Sequence, residues 1–277
     1  LTDTEFRSAT AIIKKLTGIH FPESKKYLVE SRLERRLHEI KDEYGIRTID
    51  QYLSFVDSLK GVNELQHLYK MVTINETFFF RSPQQVETIE NILIPELIKN
   101  KPAGSGSIKF WSAASSSGEE VYTLAMVVNE RFIPYYPKIN FVFDASDIDH
   151  NVLTKAKLGE YKPYSVRNIP TNYLDKHFKK NEDVSILSEK VKNLVTFRHA
   201  NLTNPRDIIQ FRGADIVLLS NVLIYFDQET KEKVLSSIYT NMARGGYLFI
   251  GYSESLQGIK HNFEVIHHSK TIVYKKN

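Results

Sequence analysis

With 277 residues, 42% of them hydrophobic and 12% aromatic, the chain can bury a core of one large or two smaller domains, which excludes a disordered protein. The absence of cysteine excludes disulfides, zinc–thiolate centres and cysteine nucleophiles, and the net charge of +4 permits an acidic partner without requiring nucleic acid. No apolar run approaches membrane-spanning length and no secretory signal opens the chain, so a cytoplasmic protein is expected.

The sequence opens on Leu1 rather than Met, so a few residues are expected to precede it. Residues 1–72 read as all-helical. Phe6, Ile13 and Leu16 mark a first helix stopped at Thr17-Gly18, and Val29, Leu33, Leu37 and Ile40 mark a second ending near Tyr44-Gly45. Arg32, Arg35 and Arg36 fall within one turn of that second helix. Two roles are open to them: docking an acidic partner helix, or forming a solvated face balanced locally by Glu30, Glu34 and Glu39. Further helices are expected over 49–59 and 62–71.

Residues 73–83 then form a linker in which Phe78, Phe79 and Phe80 stand beside Asn75, Thr77 and Arg81. That mixture suits a segment pinned between two domains, aromatics buried and polar groups aimed into a cleft. A linker with an incidental hydrophobic anchor is the alternative. A helix over 84–99 and a loop over 101–107 follow.

The organising stretch is 108–126. A short apolar strand (108–111) runs into Ser112–Gly118, which contains only Ser, Ala and Gly and lets a ligand approach the backbone. From Glu119 the spacing of Val121, Leu124, Ala125 and Val128 is that of a helix. Strand, small-residue turn and helix N-terminus make the ligand cradle of a parallel α/β sheet. A helix N-terminus ordinarily favours phosphate, but Glu119 and Glu120 in the first turn would repel one, and the GK[ST] ending of a P-loop is missing. A cationic, hydroxyl-rich ligand such as S-adenosylmethionine fits better. The same glutamates would also serve as ordinary first-turn residues complementing the helix dipole.

A second strand (139–143) stops at Asp144-Ala145-Ser146-Asp147-Ile148-Asp149, and an acidic residue after the second strand is where nucleoside-binding α/β proteins hold ribose hydroxyls. A helix is expected over 150–160. The α/β rhythm breaks over 161–200, where 184–187, Val191 and 195–197 alternate as antiparallel strands do, giving a β insertion over about 171–200. The main sheet is expected to resume at 215–220, leading into Asn221-Val222-Leu223-Ile224-Tyr225-Phe226. A helix (228–242), a turn at Arg244-Gly245-Gly246, a strand (247–250) and a hairpin (263–267 with 271–274) complete the chain. The nine histidines, His267-His268 included, show no metal-ligand spacing, and no metal site is expected.

Four motifs occur in order: Asn75-x-Thr77-x-Phe79-Phe80-Arg81, Trp111-Ser112-Ala113-Ala114-x-x-x-Gly118-Glu119-Glu120-x-Tyr122, Ala145-Ser146-Asp147-Ile148-Asp149 and Asn221-Val222-Leu223-Ile224-Tyr225-Phe226. Together they resemble the CheR family, bacterial chemoreceptor glutamate methyltransferases that use S-adenosylmethionine, and Gly251-x-Ser253-Glu254-x-Leu256 resembles the family's late loop. The resemblance implies an all-helical domain (1–72), the linker (73–83) and a doubly wound, Rossmann-like α/β methyltransferase domain (84–277) carrying the small antiparallel insertion. It implies cofactor contacts from Asn75, Thr77, Arg81, Glu119, Asp147, Asn201, Leu202, Asn221 and Val222, with Arg81 and Tyr225 bordering the methyl-transfer site. The implied product is S-adenosylhomocysteine. The implied partner is the acidic cytoplasmic helices of a chemoreceptor, met by a monomer through Arg32, Arg35 and Arg36 without nucleic acid or membrane insertion.

Three departures stand out. Ser220 replaces an Arg usual before Asn-Val, Val121 replaces a small residue or Pro, and the insertion lacks the glycine-rich turn of relatives that grip a receptor tail. Two other functions fit parts of the pattern: a nucleic-acid methyltransferase, and a non-catalytic adaptor that binds the cofactor and signals through the helical domain.

Overall fold

The computed structural model describes residues 1–102, 106–268 and 271–277. It divides into two compact units, one of Leu1–Ile74 with Ile224–Lys231, the other of Asn75–Leu223 with Glu232–Asn277.

The first unit contains α1 (Asp3–Thr17), α2 (Lys26–Tyr44), α3 (Ile49–Val56) and α4 (Val62–Val72). Its boundaries follow from local chemistry. Thr2 and Glu5 form a capping box before α1, and Thr48 and Gln51 form one before α3. Gly18 and Gly45 end α1 and α2 in the left-handed conformation. Phe6, Ile13, Val29, Leu33, Ile40, Tyr52, Leu53 and Leu68 make the core. Residues 224–231 join it through an antiparallel bridge between Ile19 and Phe226 and an ion pair between Lys14 and Asp227.

One of the three α2 arginines is committed inside this unit. Arg36 donates from Nε to Glu64 Oε1 (2.7 Å) and from Nη2 to Glu64 Oε2 (2.8 Å), while Nη1 reaches Glu39. Glu64 is only 4% exposed and also accepts from the Tyr52 hydroxyl. This fork-to-carboxylate geometry is structural. Docking through Arg36 would require it to abandon a buried partner.

In the second unit, α5 (Pro83–Thr88) and α6 (Ile94–Lys99) are joined by a π-helical segment, Ile89–Leu93, rather than forming one α-helix. Pro95 has no N–H to continue the ladder, so the hydrogen-bond register shifts ahead of it. The sheet then builds from β1 (Gly106–Ala113), α7 (Glu119–Arg131), β2 (Ile139–Asp147), α8 (His150–Leu158), β3 (Glu160–Tyr161), α9 (Pro163–Val166), α10 (Thr171–His177), β4 (Phe178–Asn181), β5 (Val184–Leu187), α11 (Glu189–Lys192), β6 (Val195–His199), α12 (Pro205–Ile208), β7 (Ala214–Leu219), α13 (Gln228–Asn241), β8 (Met242–Ile250), β9 (Glu264–His268) and β10 (Thr271–Lys275). Its order is β6-β2-β1-β7-β8-β10-β9, parallel through β8 and antiparallel in the closing hairpin. The order reverses between β1 and β7, which fixes the place for a ligand at the carboxyl ends of those strands. β7, with every residue buried, reads as the continuous apolar run of a strand covered on both faces.

Three expectations need correction. Residues 195–197 do not belong to the antiparallel insertion: β6 pairs parallel with β2, in register from Phe143↔Val195 to Asp147↔His199. Alternation suits either pairing, and burial of Phe197 against Tyr122 on α7 selects the main sheet. The insertion is instead the sheet β3-β5-β4 with short helices, and 173–177 lies in α10. Arg244-Gly245-Gly246 is not a turn before a strand but lies within β8. There Gly245 (φ 76°) donates its N–H to Lys276 O at 2.8 Å and Gly246 O accepts Lys276 N–H at 2.9 Å, in a strand whose register shifts against β7. Part of the expected 101–107 loop (103–105) and the residues 269–270 between β9 and β10 lie outside the described residues.

Candidate functional site

The turn after β1 is held in an unusual backbone state. Ala114 (φ 63°), Ser116 (φ 49°) and Gly118 (φ 89°) are all left-handed within five residues, and two of them carry side chains. Such a conformation costs about 1–2 kcal/mol per non-glycine residue, so the surroundings must enforce it. Asp147 does so from the end of β2: Oδ2 accepts Ser116 N–H at 2.8 Å and Oδ1 accepts Asp149 N–H at 3.0 Å. Ser115 N–H donates to Ser146 O at 2.7 Å, and Ser116 Oγ donates to Asn75 O at 3.2 Å. Gly118 is required for packing as well as for φ, since a Cβ there would lie 3.0 Å from Phe197 and 3.1 Å from Ala156 and Tyr122.

Two polar groups of residues result. The first gathers at the ends of β2 and β6. Asp147 is 5% exposed, and burial pushes its carboxyl up to about 6 against the opposing pull of backbone donors from Asp149, Ser116 and Ile148. Asn75 Nδ2 approaches Asp149 Oδ2 at 3.4 Å, and Asp149 also caps α8 through Asn151 N–H. Ala200 N–H donates to Asp147 O, which brings Asn201 and Leu202 to the same place. There Asn201 Oδ1 holds the Thr203 amide and hydroxyl.

The second group gathers around Glu120, at the ends of β1 and β7. Ser112 Oγ donates to Glu120 Oε2 at 3.1 Å, and Ser220 faces the same carboxylate with its buried hydroxyl making no hydrogen bond of full geometry. Burial raises the Glu120 pKa, Ser220, Ser112 and Arg81 oppose the rise, and Glu254 adds to it. Asn221 (φ 59°) stands beside Glu254, which accepts its N–H. Val222 and Thr77 are half-buried. Arg81 is exposed, donates from Nη1 to Glu76 O at 2.8 Å and lies 5.5 Å from the Phe78 ring. Phe79, fully buried, anchors this segment between the rings of Tyr161 and Phe178.

Glu119, expected at the cofactor, is held by two neighbouring hydroxyls. It is 1% exposed, and its two oxygens accept from the Ser117 and Ser165 hydroxyls at 2.8 and 3.1 Å. Consecutive helical residues diverge by about 100°, so of the two glutamates only Glu120 turns toward the strand ends. Ser117 is local, but Ser165 comes from the distant α9, which the sequence around the pair does not announce. Tyr225 belongs to the helical unit, where its ring packs on the core and its carbonyl accepts His20 N–H at 2.8 Å.

A family model described as the CheR methyltransferase SAM-binding domain matches residues 75–272, and one described as the CheR methyltransferase all-alpha domain matches residues 4–73. The chain belongs to the CheR methyltransferase family. It is similar to chemotaxis protein methyltransferase 2 of Vibrio cholerae, at 33% identity covering 100% of this chain and 94% of that one. It is also similar to chemotaxis protein methyltransferase Cher2 of Pseudomonas putida (30%; 98% and 97% covered) and to the chemotaxis protein methyltransferase of Borreliella burgdorferi (31%; 100% and 95% covered).

This CheR-family chain is thus a methyltransferase with S-adenosylmethionine as cofactor, and the residues present fit that molecule. A ribose diol needs a carboxylate acceptor, and Asp147 keeps acceptor capacity beyond its backbone donors. An ammonium suits Glu120, a half-buried carboxylate without a hydrogen-bonded cation among the described residues. A carboxylate suits Ser115, whose buried hydroxyl lacks a hydrogen-bond partner among the described residues. Glu120→Gln is expected to weaken S-adenosylhomocysteine binding roughly tenfold, the cost of one charge-assisted hydrogen bond, whereas Glu119→Gln should change it less than about threefold. Titration calorimetry decides, and equal losses would return Glu119 to the cofactor.

Proposed function

We propose that this chain transfers the methyl group of S-adenosylmethionine to glutamate side chains on the cytoplasmic helices of chemoreceptors, forming methyl esters in chemotactic adaptation. The reading is carried by the carboxylates Asp147 and Glu120 at the strand ends, which suit a cationic cofactor without phosphate, and is supported by a basic face on α2. Arg32 Nη1 is buried without a hydrogen-bond partner among the described residues, and burial followed by the charge of Arg35 lowers the Arg32 pKa. A partner carboxylate against the half-buried guanidinium would oppose that lowering. The names of the relatives, chemotaxis protein methyltransferases, point to the same setting.

The chemistry asks little of the protein. A glutamate (pKa about 4.3) is already ionised at neutral pH, so no general base is required. When bound, the sulfonium supplies an activated methyl. The work left to this chain is alignment and exclusion of water, and proximity alone is worth roughly 7–11 kcal/mol. Arg81, exposed on a segment anchored by buried Phe79, presents a planar fork for orienting a carboxylate.

Incubation with methyl-labelled cofactor and either a receptor cytoplasmic fragment or RNA tests the reading. Base-labile label on the receptor fragment is expected. Label on RNA would indicate a nucleic-acid methyltransferase, and cofactor binding without transfer would indicate an adaptor. Either result overturns the proposal.

Docking has its own test. Arg32→Glu/Arg35→Glu should raise the KM for receptor fragment roughly tenfold and flatten its dependence on salt, because exposed charges are screened within about 8–10 Å. S-adenosylhomocysteine affinity should stay unchanged. Normal receptor methylation by this variant would mean the face is merely solvated.

A further inference from the structure

After β8 the chain turns through Gly251 into the loop that ends at buried Leu256, and Glu254 reaches back across that turn. A single oxygen, Oε2, accepts the N–H of Gly251 at 2.8 Å and the N–H of Asn221 at 2.7 Å. Gly251 follows β8 and Asn221 follows β7, two neighbouring parallel strands in register at Leu219↔Ile250. One carboxylate therefore ties together the two loops at the carboxyl ends of adjacent strands. Glu254 N–H donates to Gly251 O at 2.9 Å and closes the turn that aims the side chain.

The approach is too close for any side chain at 251. A Cβ there would lie 2.6 Å from Asn221 Nδ2, 2.8 Å from Asn221 N and 2.8 Å from Glu254 Oε2. Asn221 itself has φ 59°, the left-handed region that a residue with a side chain enters only when held. The bond from its N–H to Glu254 is the hold that the structure shows.

We infer that Glu254 is a positioning residue whose carboxylate oxygen keeps Asn221 left-handed and so sets the wall of the cofactor site after β7. The inference rests on the reading of this pocket as the S-adenosylmethionine site, with Asn221 on its wall. It does not need Glu254 to touch cofactor or substrate. What the site requires of Glu254 is reach and an acceptor oxygen rather than negative charge. Its charge is a burden, since it stands near the Glu120 carboxylate with Arg81 as the opposing cation.

Two variants separate reach from charge. Glu254→Gln keeps the length and an oxygen able to accept both N–H groups but loses the charge. Glu254→Asp keeps the charge but is one methylene too short to reach both donors. Binding of S-adenosylhomocysteine by calorimetry and hydrogen exchange of the Asn221 and Gly251 amides in the ligand-free protein are the two readouts, with Tm as a check on folding. Glu254→Gln is expected to stay within threefold of wild type in both. Glu254→Asp is expected to bind at least tenfold more weakly and to exchange both amides at least tenfold faster, with the other amides of β7 and β8 unchanged. The reverse ranking, or equal losses in the two variants, would make charge the requirement and overturn the inference. So would wild-type exchange at Asn221 in Glu254→Asp. Failure of the wild type to bind S-adenosylhomocysteine would count against the cofactor site itself, while the ligand-free exchange rates would still decide whether Glu254 holds Asn221.

Discussion

Asp147→Ala is expected to weaken S-adenosylhomocysteine binding at least a hundredfold and to destabilise the α/β unit by about 2 kcal/mol. Two charge-assisted hydrogen bonds to the ribose diol, at roughly 1.5–3 kcal/mol each, account for the first effect. Loss of the acceptor for the buried Ser116 and Asp149 N–H groups accounts for the second, because an orphaned buried donor costs about 1–3 kcal/mol. The two effects are linked, since the carboxylate proposed to meet the ribose also holds the left-handed Ser116.

The pH dependence of Asp147 follows from its folded pKa of about 6, raised by burial above the model-compound 3.8 that applies unfolded. A raised carboxyl pKa favours folding at low pH, and that contribution is lost as pH climbs from about 4 through about 6. Binding runs the other way. Protonation below about 6 removes the anionic acceptor, so product affinity should fall roughly tenfold per pH unit there and become flat in Asp147→Asn. Calorimetry from pH 5 to 8 checks the binding statement, and urea unfolding of the wild type and Asp147→Asn from pH 4 to 7 checks the stability statement. Unchanged affinity in Asp147→Ala would remove Asp147 from the site.

Arg36→Ala is expected to destabilise the helical unit by about 3–5 kcal/mol, the cost of leaving a buried carboxylate without its partner. Glu64 is 4% exposed, and its other hydrogen bond, from Tyr52, cannot neutralise a charge. Arg32→Ala should behave oppositely. Its guanidinium has a buried nitrogen with no acceptor, so removing it should leave stability unchanged or raise it by up to about 1 kcal/mol while weakening receptor docking. Urea unfolding of the two variants reads the contrast. Equal stability losses would show that Arg32 is held by the fold and is not kept for a partner.

The three α2 arginines illustrate what sequence spacing conveys. Their placement on one helix face follows from 3.6 residues per turn, which is local geometry. The division of labour between Arg36 and Arg32 does not, because Glu64 arrives from α4. The same split runs through the fold. The strand–turn–helix at 108–126, the caps at Thr2 and Thr48 and the stops at Gly18 and Gly45 are set by near neighbours and were legible in order of residues. The main-sheet membership of β6 was not. Alternation at 195–197 serves parallel and antiparallel partners alike, and only packing of Phe197 on Tyr122 chooses.

By itself, the sequence determined the two-part organisation, the doubly wound sheet, the phosphate-repelling turn and Asp147 at the end of β2. These rest on periodicity, on small-residue turns and on charge at a helix N-terminus, all short-range. Only the tertiary structure gave Glu119 and Glu120 different hydrogen-bond partners, set Glu254 against Asn221 and opened β8 into a bulge at Gly245. Each of those depends on which distant segment supplies the hydrogen-bond partner. A buried polar group goes wherever a partner is within 3 Å or so, and no residue type announces where that will be.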